Sequence, residues 1–365
     1  MNSTQTIRLV IPSLGNGGSE RVAVRLASAW SATGQSSELI TVRRGGVWSG
    51  ITAPGVKVTC LEYARTVLAL PALIRHLQAY QRAPLIVFGF DLAVGLGLAS
   101  RLGLLRTPWV YREGSMPMSN IPFRMRKFYR LAIGSAARVI AQSRAAQEEL
   151  IRLGVRRDRV VTIPNPLDPV IESADPVALT KCPTSPHIVS VARLSREKGV
   201  DRLIRAYPAL TQGLPGCSLT VYGEGPARTS LESQALSVGL DPAAALPGFH
   251  TRIHEKLREA DVFVLPSLYE GLPNALMEAI GLGMRVIAAD SGGGVRELMS
   301  GCGLAHWIIP QETFDANLPA VVEQALGAPV AEWAAAARWL RAEAGTAAVA
   351  RRYWDLAAGT IGRKD

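Results

Sequence analysis

Short apolar runs alternate with amphipathic stretches along most of this chain. Residues 19–33 show the helical case, because Val22, Leu26, Ala29 and Trp30 recur at a spacing that puts them on one helix face. The apolar runs are rich in β-branched residues and short enough to be buried strands. The candidate strands in the first half are 8–12, 38–42, 85–90, 109–112, 138–141 and 160–164. Strands separated by helices predict βαβ units and a parallel sheet.

The alternation restarts after a proline-rich stretch. Six of the 23 prolines fall within 164–186, a density at which we expect no helix and no central strand. The tail over 330–358 is rich in Ala and Arg and is predicted to be helical. The candidate strands of the second half are 187–192, 218–222, 261–265 and 285–289, and its candidate helices are 199–210, 227–238, 253–260 and 273–280.

This order of elements predicts an α/β protein with two Rossmann-like domains. We place a first domain at 1–168, a linker at 169–186, a second domain at 187–335, and a final helix at 336–365 that returns toward the first domain. Ligands of open α/β sheets bind at the carboxyl ends of the strands. We therefore expect two facing parallel-sheet domains with a cleft between them.

Composition narrows the class of protein. With 365 residues, 48% of them hydrophobic and 19% charged, the chain can bury two cores, which excludes a disordered protein. The four cysteines are scattered without a CxxC pair, so we expect neither a zinc finger nor a disulfide scaffold, and a cytoplasmic location. The longest apolar stretch, 85–99, is interrupted by Asp91, and we expect no membrane-spanning helix.

The net charge of +10 lies in the first half. Residues 1–150 hold 18 Lys and Arg against 7 Asp and Glu, while the remaining 215 residues hold 22 against 23. This asymmetry predicts an anionic partner: a phosphorylated substrate, a membrane surface or a nucleic acid. A nucleic acid is the weakest of the three, because no RNP, KH or helix-turn-helix pattern accompanies the charge.

The densest basic cluster has two interpretations. It is either a solvated helix face with core residues beside it, or a surface that binds an anionic membrane while its apolar neighbours insert. The cluster comprises Arg124, Arg126, Lys127 and Arg130, and its apolar neighbours are Ile121, Phe123, Phe128 and Leu131.

Two glycine-rich turns follow predicted strands, at 15–20 and 223–228. Neither completes the dinucleotide fingerprint, because Glu20 and Arg228 stand where the third glycine belongs, and neither contains the Gly-Lys-Ser/Thr of a P-loop. Each is either a tight turn or a place where a ligand approaches the backbone at a helix start.

The segment 261–283 holds the clearest candidate residues for ligand binding. A buried strand runs into a loop and then a helix, and Pro273 stands at the predicted first helical position. The N–H groups of such a helix start form an anion site. Glu270 and Glu278 beside that site would repel a phosphate, so we expect them to accept hydrogen bonds from sugar hydroxyls. One would hold a hexose and the other a ribose.

The pair Glu270 and Glu278 within PSLYEGLPNALMEAIGLG resembles the retaining glycosyltransferases of family 4, which have the two-domain GT-B fold. The resemblance covers about residues 7 to 330. Five further segments follow in the order of the family: 13–21, 163–168, 191–199, 223–226 and 246–249.

The resemblance implies site residues. Arg193 and Lys198 would hold the donor diphosphate and act in catalysis with Glu270. Arg112 and Glu113 lie in YREGS, which resembles a variant found in relatives that build bacterial surface glycans, and they are assigned to the acceptor side. The histidine that contacts the donor sugar in many relatives has no counterpart here. The donor-binding residues implied are Gly17, Gly18, Glu224, Phe249, Gly271, Leu272, Pro273, Asn274 and Glu278.

Basic side chains on a diphosphate neutralise the leaving group as a metal would. The sequence has no Asp-x-Asp and no His/Cys cluster, so we expect a reaction without metal or cofactor. The function implied is transfer of a hexose or N-acetylhexosamine from a nucleotide sugar, with UDP favoured over GDP. The acceptor would be a glycan on a polyprenyl diphosphate at the inner face of the cell membrane, and the configuration would be retained.

Other functions stay open at this point. A GT-B epimerase or phosphorylase is a second enzymatic reading, although nothing marks the pyridoxal lysine of a phosphorylase. A non-catalytic carbohydrate-binding scaffold is a third, and it would be expected to lose Glu270, Arg193 or Lys198, all of which are present.

Overall fold

The computed structural model describes residues 6–15, 17–50, 53–79, 83–177 and 183–360. The chain divides into two compact units. The first unit is Met1–Pro166 together with Thr346–Asp365, and the second is Leu167–Gly345. Each unit is built on a parallel sheet, so the predicted α/β class is confirmed.

The sheet of the first unit has seven strands among the described residues, in the order β3-β2-β1-β4-β5-β6-β7. Every neighbouring pair is parallel. The strands are β1 Ile7–Ile11, β2 Ser37–Thr41, β3 Lys57–Cys60, β4 Leu85–Phe88, β5 Trp109–Arg112, β6 Arg138–Ala141 and β7 Val160–Thr162. Strand β1 is buried along its whole length, which is typical of a parallel sheet with helices on both faces.

Helices connect these strands. They are α1 Gly18–Ala32, α2 Thr66–Gln78, α3 Phe90–Arg101, α4 Pro117–Asn120, α5 Phe123–Ile133 and α6 Arg144–Arg152. Alternate strand residues face opposite sides of the sheet. Val10 and Val87 pack in the cluster that holds α2, α3, α5 and α6, whereas Leu9 and Ile86 pack in the cluster that holds α1.

Helix α3 lies unusually close to its two neighbours. A Cβ atom at Gly97 would be 2.3 Å from the carbonyl oxygen of Ala132 in α5, and one at Gly95 would be 2.6 Å from a methyl carbon of Leu70 in α2. At Gly97 the neighbouring atom belongs to the backbone, so only glycine permits this approach. Helices α2, α3 and α5 therefore form one tightly packed layer.

The sheet of the second unit has the order β12-β11-β10-β8-β9 within the described part of the chain. Its strands are parallel and comprise β8 His187–Val191, β9 Ser218–Tyr222, β10 Val262–Leu265, β11 Arg285–Ala289 and β12 Ile308–Ile309. The helices are α7 Pro169–Ser173, α8 Val200–Gly213, α9 Arg228–Ser237, α10 Pro242–Ala245, α11 Ile253–Arg258, α12 Asn274–Gly281, α13 Gly293–Gly301, α14 Phe314–Gly327 and α15 Val330–Ala344.

The helical tail is divided at Gly345. Helix α15 packs in the second unit, while the next helix, α16 Thr346–Gly359, packs on α1 in the first unit. The indole N–H of Trp30 donates to the carbonyl oxygen of Ala350 at 2.9 Å, and Tyr353 is fully buried. The core of the first unit thus includes residues from far along the chain.

The prediction that the proline-rich stretch holds no helix is wrong. Helix α7 starts at Pro169, where the missing N–H costs nothing, and the Asp168 carboxylate accepts from the N–H of Val170 at 3.0 Å. Residues 178–182 of the predicted linker lie outside the described residues. Strands β3 and β12 are additions that the pattern did not predict, since both are short edge strands.

Candidate functional site

Two loops meet at the carboxyl edge of the second sheet. One follows β8 and the other follows β10, and these strands are neighbours. The N–H of Leu268 donates to the carbonyl oxygen of Glu197 at 2.9 Å, which ties the loops together. Gly199 adopts a left-handed conformation, and a Cβ atom there would lie 2.2 Å from the carbonyl oxygen of Pro266. The glycine is therefore required for the loops to meet.

Lys198 and Glu270 form an ion pair across these loops. The Lys198 ammonium lies 2.8 Å from Oε1 of Glu270, and the Ser267 hydroxyl donates to the same oxygen at 2.8 Å. Both charged side chains are largely buried. The Ser291 hydroxyl holds the carbonyl oxygen of Ser267 at 2.6 Å. The structure thus joins two of the three predicted catalytic residues and adds Ser267, which the sequence analysis missed although it stands three residues before Glu270.

Arg193 lies in the loop after β8 and is exposed. No side-chain hydrogen bond of Arg193 occurs among the described residues. Near it, Glu197 is partly buried, which raises its pKa, but the hydroxyl of Ser195 donates to its carboxylate at 2.5 Å and the net effect lowers the pKa. The charges of Lys198 and Arg193 also contribute to the lowered pKa of Glu197, so this edge of the sheet holds acidic and basic groups close together.

Helix α12 starts one residue later than predicted. Pro273 is its N-cap residue and not its first helical residue, and the carbonyl oxygen of Pro273 accepts from the N–H of Met277 at 3.1 Å. The predicted contacts Gly271, Leu272 and Asn274 thus lie in the loop and first turn. A Cβ atom at Gly294 would be 1.5 Å from the carbonyl oxygen of Gly271, so α13 packs directly against this loop.

Glu278 lies in the second turn of α12. It is 1% exposed. Its contact with a ribose stays a prediction.

The turn 223–225 is shaped by packing within the protein. A Cβ atom at Gly223 would lie 1.8 Å from the carbonyl oxygen of Ala192, and one at Gly225 would lie 2.2 Å from that of Leu194. The tight-turn interpretation therefore accounts for both glycines. It also fixes the loop that carries Arg193.

Glu224 lies just after β9, and Phe249 comes from a later segment that pairs with the end of this strand. The carboxylate of Glu224 accepts two hydrogen bonds from Arg228, at 2.8 and 2.6 Å, and this partner lowers the pKa of Glu224. The N–H of Gly223 donates to the carbonyl oxygen of Gly248 at 2.9 Å, which brings Phe249 beside the turn. Phe249 is half-buried. The donor contacts of these residues stay predictions.

The glycine loop of the first unit caps α1. Gly17 is the N-cap residue, and the position of its missing Cβ atom lies 2.2 Å from Oε2 of Glu20. The N–H of Trp48 donates to the carbonyl oxygen of Leu14 at 3.0 Å, so the loop after β2 packs on this turn. Gly18 begins the helix, and Asn16 lies outside the described residues.

Arg112 is buried beneath the start of α1. Its guanidinium donates to the Ser19 hydroxyl at 2.9 Å and to the Asn165 side chain at 2.6 Å, and it lies over the ring of Phe88. These partners are 93 and 53 residues away along the chain. Arg112 therefore holds the glycine loop to the ends of β5 and β7.

Glu113 is also buried, and its carboxylate accepts four hydrogen bonds. Oε2 accepts from the hydroxyls of Tyr111 at 3.0 Å and Tyr129 at 2.5 Å, while Oε1 accepts from the N–H and hydroxyl of Ser115 at 2.9 and 2.8 Å. Burial and the nearby Glu113 charge raise the pKa of both tyrosines well above the usual value. Neither tyrosine was singled out from the sequence.

Helix α5 presents part of the predicted basic cluster to solvent. Arg124, Lys127 and Arg130 are exposed, whereas Arg126 donates to the backbone of Met118 and Ile121. Phe123, Phe128 and Leu131 are exposed, against the core interpretation. Ile121 is buried, so the prediction that it is available for insertion is wrong.

Across the parts of the chain that the structure describes, no three His, Cys, Asp or Glu residues come together as metal ligands. Within the same ranges, no helix has both the length and the apolar character needed to cross a membrane. The expected reaction without a metal stays a prediction.

Two family models match the chain. The model described as "Glycosyl transferases group 1" matches residues 173–320, and the one described as "Glycosyl transferase 4-like domain" matches residues 17–166. Between them they cover most of both units. The sequence-based resemblance and the family models therefore agree.

Several known proteins are similar to this chain. The amylovoran biosynthesis glycosyltransferase AmsK of Erwinia amylovora is 35% identical over 133 residues, which are 34% of this chain and 32% of AmsK. The GDP-mannose-dependent alpha-(1-6)-phosphatidylinositol monomannoside mannosyltransferase of Mycolicibacterium smegmatis is 33% identical over 132 residues, which are 32% of this chain and 33% of that enzyme. For the first curated relatives the matched stretch spans 27% to 51% of the relative's length.

A solved structure is similar over almost the whole chain. The crystal structure of HepE from Anabaena in complex with UDP and glucose has a TM-score of 0.78 and 18% identity, and the match covers 97% of this chain and 100% of HepE. At this identity the likeness concerns the fold.

Proposed function

Because the chain belongs to the group 1 glycosyltransferases with the GT-B fold, we propose that it transfers a hexose or N-acetylhexosamine from a nucleotide sugar to a glycan. The observation that carries the proposal is the Lys198–Glu270 ion pair at the carboxyl edge of the second sheet, with the exposed Arg193 in the same loop as Lys198. A diphosphate and a sugar need a cation and a hydrogen-bond acceptor side by side.

Each charged residue has a defined role in this proposal. Arg193 and Lys198 bind the donor diphosphate and stabilise the charge that develops on the leaving phosphate. Glu270 accepts a hydrogen bond from the sugar through Oε2, since Oε1 is already held by Lys198 and Ser267. Glu278 accepts from the ribose. Backbone N–H groups at Gly271, Leu272 and the start of α12 complete the donor contacts.

We propose a UDP-sugar as the donor. HepE, which shares the fold, was solved with UDP and glucose. The mycobacterial relative is by name GDP-mannose-dependent, so the base is a matter for direct measurement.

We propose that the configuration is retained by a front-face route. The bond between the sugar C1 and the diphosphate oxygen breaks, the acceptor oxygen bonds C1 on the same face, and the departing phosphate oxygen takes the acceptor proton. Double displacement would need a free carboxylate nucleophile. Glu113, the first-domain candidate for that role, already accepts four hydrogen bonds. The basic residues replace a metal in this scheme.

We propose that the acceptor is a glycan on a polyprenyl diphosphate, used at the anionic inner face of the cell membrane. The excess of basic residues within 1–150 supports this proposal, because a soluble neutral sugar needs no such field. Arg112 and Glu113 support the acceptor side by holding the glycine loop and the segment after β5.

The test combines a donor screen with a product assay. Thermal shifts with UDP, GDP and a panel of their sugars identify the donor, since a bound ligand raises stability by RT ln(1 + [L]/Kd). The matching sugar should release UDP only when a lipid-linked glycan is present, and NMR of the product should show the donor's anomeric configuration. Conversion of the donor to its epimer without UDP release would indicate an epimerase. Donor binding without turnover on any acceptor would indicate a scaffold.

A further inference from the structure

Exposed apolar side chains are concentrated on the outer side of the α3–α5 pair. Five of them lie within 30 consecutive residues, and Leu102 and Phe123 are 74% and 84% exposed. Soluble proteins seldom expose large apolar groups together without a partner. The five residues are Leu102, Leu104, Phe123, Phe128 and Leu131.

These side chains belong to one surface. Helices α3 and α5 touch at Gly97, and the guanidinium of Arg101 at the end of α3 donates to the carbonyl oxygen of Leu131 at 2.6 Å. Along α5, Phe128 and Leu131 are three residues apart and so share a helix face. The opposite side of α5 carries Tyr129 and Ile133, which are fully buried.

Between residues 101 and 133 every exposed charge is positive, and the exposed Asp91 lies at the other end of α3 from Arg101. Between residues 101 and 133 the single acidic residue of the sequence is Glu113, and it is buried. We define the α3–α5 face as the five apolar residues above together with their exposed basic neighbours. These neighbours are Arg101, Arg106, Arg124, Lys127 and Arg130.

We propose that the α3–α5 face docks the protein on an anionic phospholipid bilayer, with its apolar side chains among the acyl chains and its basic side chains among the headgroups. Phosphate headgroups over hydrocarbon match a surface on which cations and apolar side chains are interleaved. The inference rests on the proposed function, because it presents the glycosyltransferase to a lipid-linked acceptor. Beyond the proposed function, the inference identifies which surface of the protein contacts the membrane.

Two other occupants fit the face less well. A second copy of the chain, docked through the same face, would bring two sets of five positive charges together. A nucleic acid would satisfy the charges but would offer no apolar surface to Leu102 and Leu104. Both remain as outcomes of the test.

The experiment is vesicle flotation of the full chain. Vesicles of phosphatidylcholine alone are compared with vesicles that also contain phosphatidylglycerol, at low and high salt. Binding should require phosphatidylglycerol and weaken with salt, because the Debye length shortens. The double variant Arg124→Gln/Lys127→Gln should lose on the order of 20-fold in partition coefficient. The double variant Leu102→Ser/Phe123→Ser should lose at least about tenfold.

Matched controls separate this face from charge and hydrophobicity in general. Leu236→Ser removes a leucine that is 66% exposed on α9 of the second unit, and Arg351→Gln removes an exposed arginine on α16. Both should bind vesicles like the original protein. Equal losses in the controls, binding that ignores lipid charge, or no binding would overturn the proposal. So would a dimer, or a complex with an unrelated oligonucleotide, that the Leu102→Ser/Phe123→Ser variant abolishes.

A second readout keeps the two proposals apart. The thermal shifts with UDP and with GDP are measured on each variant, and they should be the same as for the original protein because the α3–α5 face lies in the first unit and Arg193, Lys198 and Glu270 lie in the second. Vesicle binding without any nucleotide shift would leave the docking surface standing and remove the proposed function. A nucleotide shift without vesicle binding would support the proposed function and overturn the docking surface.

Discussion

Glu113 in the first unit and Glu270 in the second both lie beyond the carboxyl end of a parallel strand, but their surroundings differ. Glu113 is buried and accepts four hydrogen bonds, two of them from tyrosine hydroxyls. Glu270 lies in the loop after β10, and only its Oε1 accepts the hydrogen bonds from Lys198 and Ser267. The comparison teaches that a carboxylate in a motif-like position is available for substrate only when its own fold leaves acceptor capacity unused.

The largest expected effect comes from removing the first of these carboxylates. Glu113→Ala leaves the buried hydroxyls of Tyr111 and Tyr129 and the N–H of Ser115 without their acceptor, at a cost of about 4 kcal/mol in the free energy of unfolding. Chemical denaturation should show this loss. Glu270→Ala is the comparison and should cost less, about 2 kcal/mol, because it leaves only the Lys198 ammonium and the Ser267 hydroxyl without an acceptor. Equal losses of stability in the two variants would mean that Glu113 is no more tightly held by its hydrogen bonds than Glu270.

The next largest effect concerns the partner of Glu270. Lys198→Ala should lower turnover on the order of 10²–10³, because the leaving phosphate loses a charge stabiliser while the fold is kept. Single-turnover kinetics with the identified donor measures the loss. Arg193→Ala should behave similarly. A near-normal rate in either variant would remove that residue from the proposed diphosphate site.

A pH dependence tests the network around Glu113. The pKa values of Tyr111 and Tyr129 are raised in the folded protein, by burial and then by the Glu113 charge. The unfolded chain releases these protons near pH 10 and the folded protein does not, so stability should be independent of these groups below pH 10. It should fall above it by about 1.4 kcal/mol per tyrosine per pH unit.

Unfolding curves between roughly pH 9 and 11 measure this slope. Tyr129→Phe should reduce the measured slope by about 1.4 kcal/mol per pH unit, since Cys217, Cys302 and Tyr353, whose pKa values are also raised by burial, contribute to the rest. Tyr269→Phe, which removes a tyrosine exposed in the loop beside Glu270, should leave the slope unchanged. A flat profile in the original protein would mean that the hydroxyls are not locked by Glu113.

The smallest effect sharpens the role of Glu270 against that of Glu278. As a sugar contact near the reacting carbon, Glu270→Gln should lower kcat about tenfold. As a ribose contact, Glu278→Gln should raise KM for the donor by a similar factor with little change in kcat. Steady-state kinetics at saturating acceptor separates the two. Exchanged phenotypes would exchange the roles.

Local patterns predicted the fold well because the strands are short, apolar and β-branched. Strand β5 over Trp109–Arg112 and strand β11 over Arg285–Ala289 have the predicted bounds. Strand β3 over Lys57–Cys60 lacks that pattern, since its side chains are half-exposed at a sheet edge. Proline density does not predict the short helix at Pro169, because proline disfavours a helix interior but is tolerated at the first helical position.

Site residues were predictable from the sequence where a short segment combines chemically suitable side chains with a recognisable spacing. Glu270 was found from its motif, and Lys198 was found from another segment whose loop meets the first. The network of Arg112 with Ser19 and Asn165 was not found, because its partners are distant in sequence and carry no motif of their own. The burial of Glu113 was likewise not predicted, because it depends on Tyr111 and Tyr129 packing around the carboxylate in the folded unit.

Helix α16 lies at the end of the chain but belongs to the first unit, which affects when each unit can complete its core during synthesis. During translation the first unit leaves the ribosome first, but its core lacks Tyr353 and the backbone partner of Trp30 until about 350 residues have been made. The second unit, continuous from Leu167 to Gly345, has all its residues before then. The second unit can therefore complete its core from residues that are already synthesised, whereas the first unit cannot do so before α16 has been made.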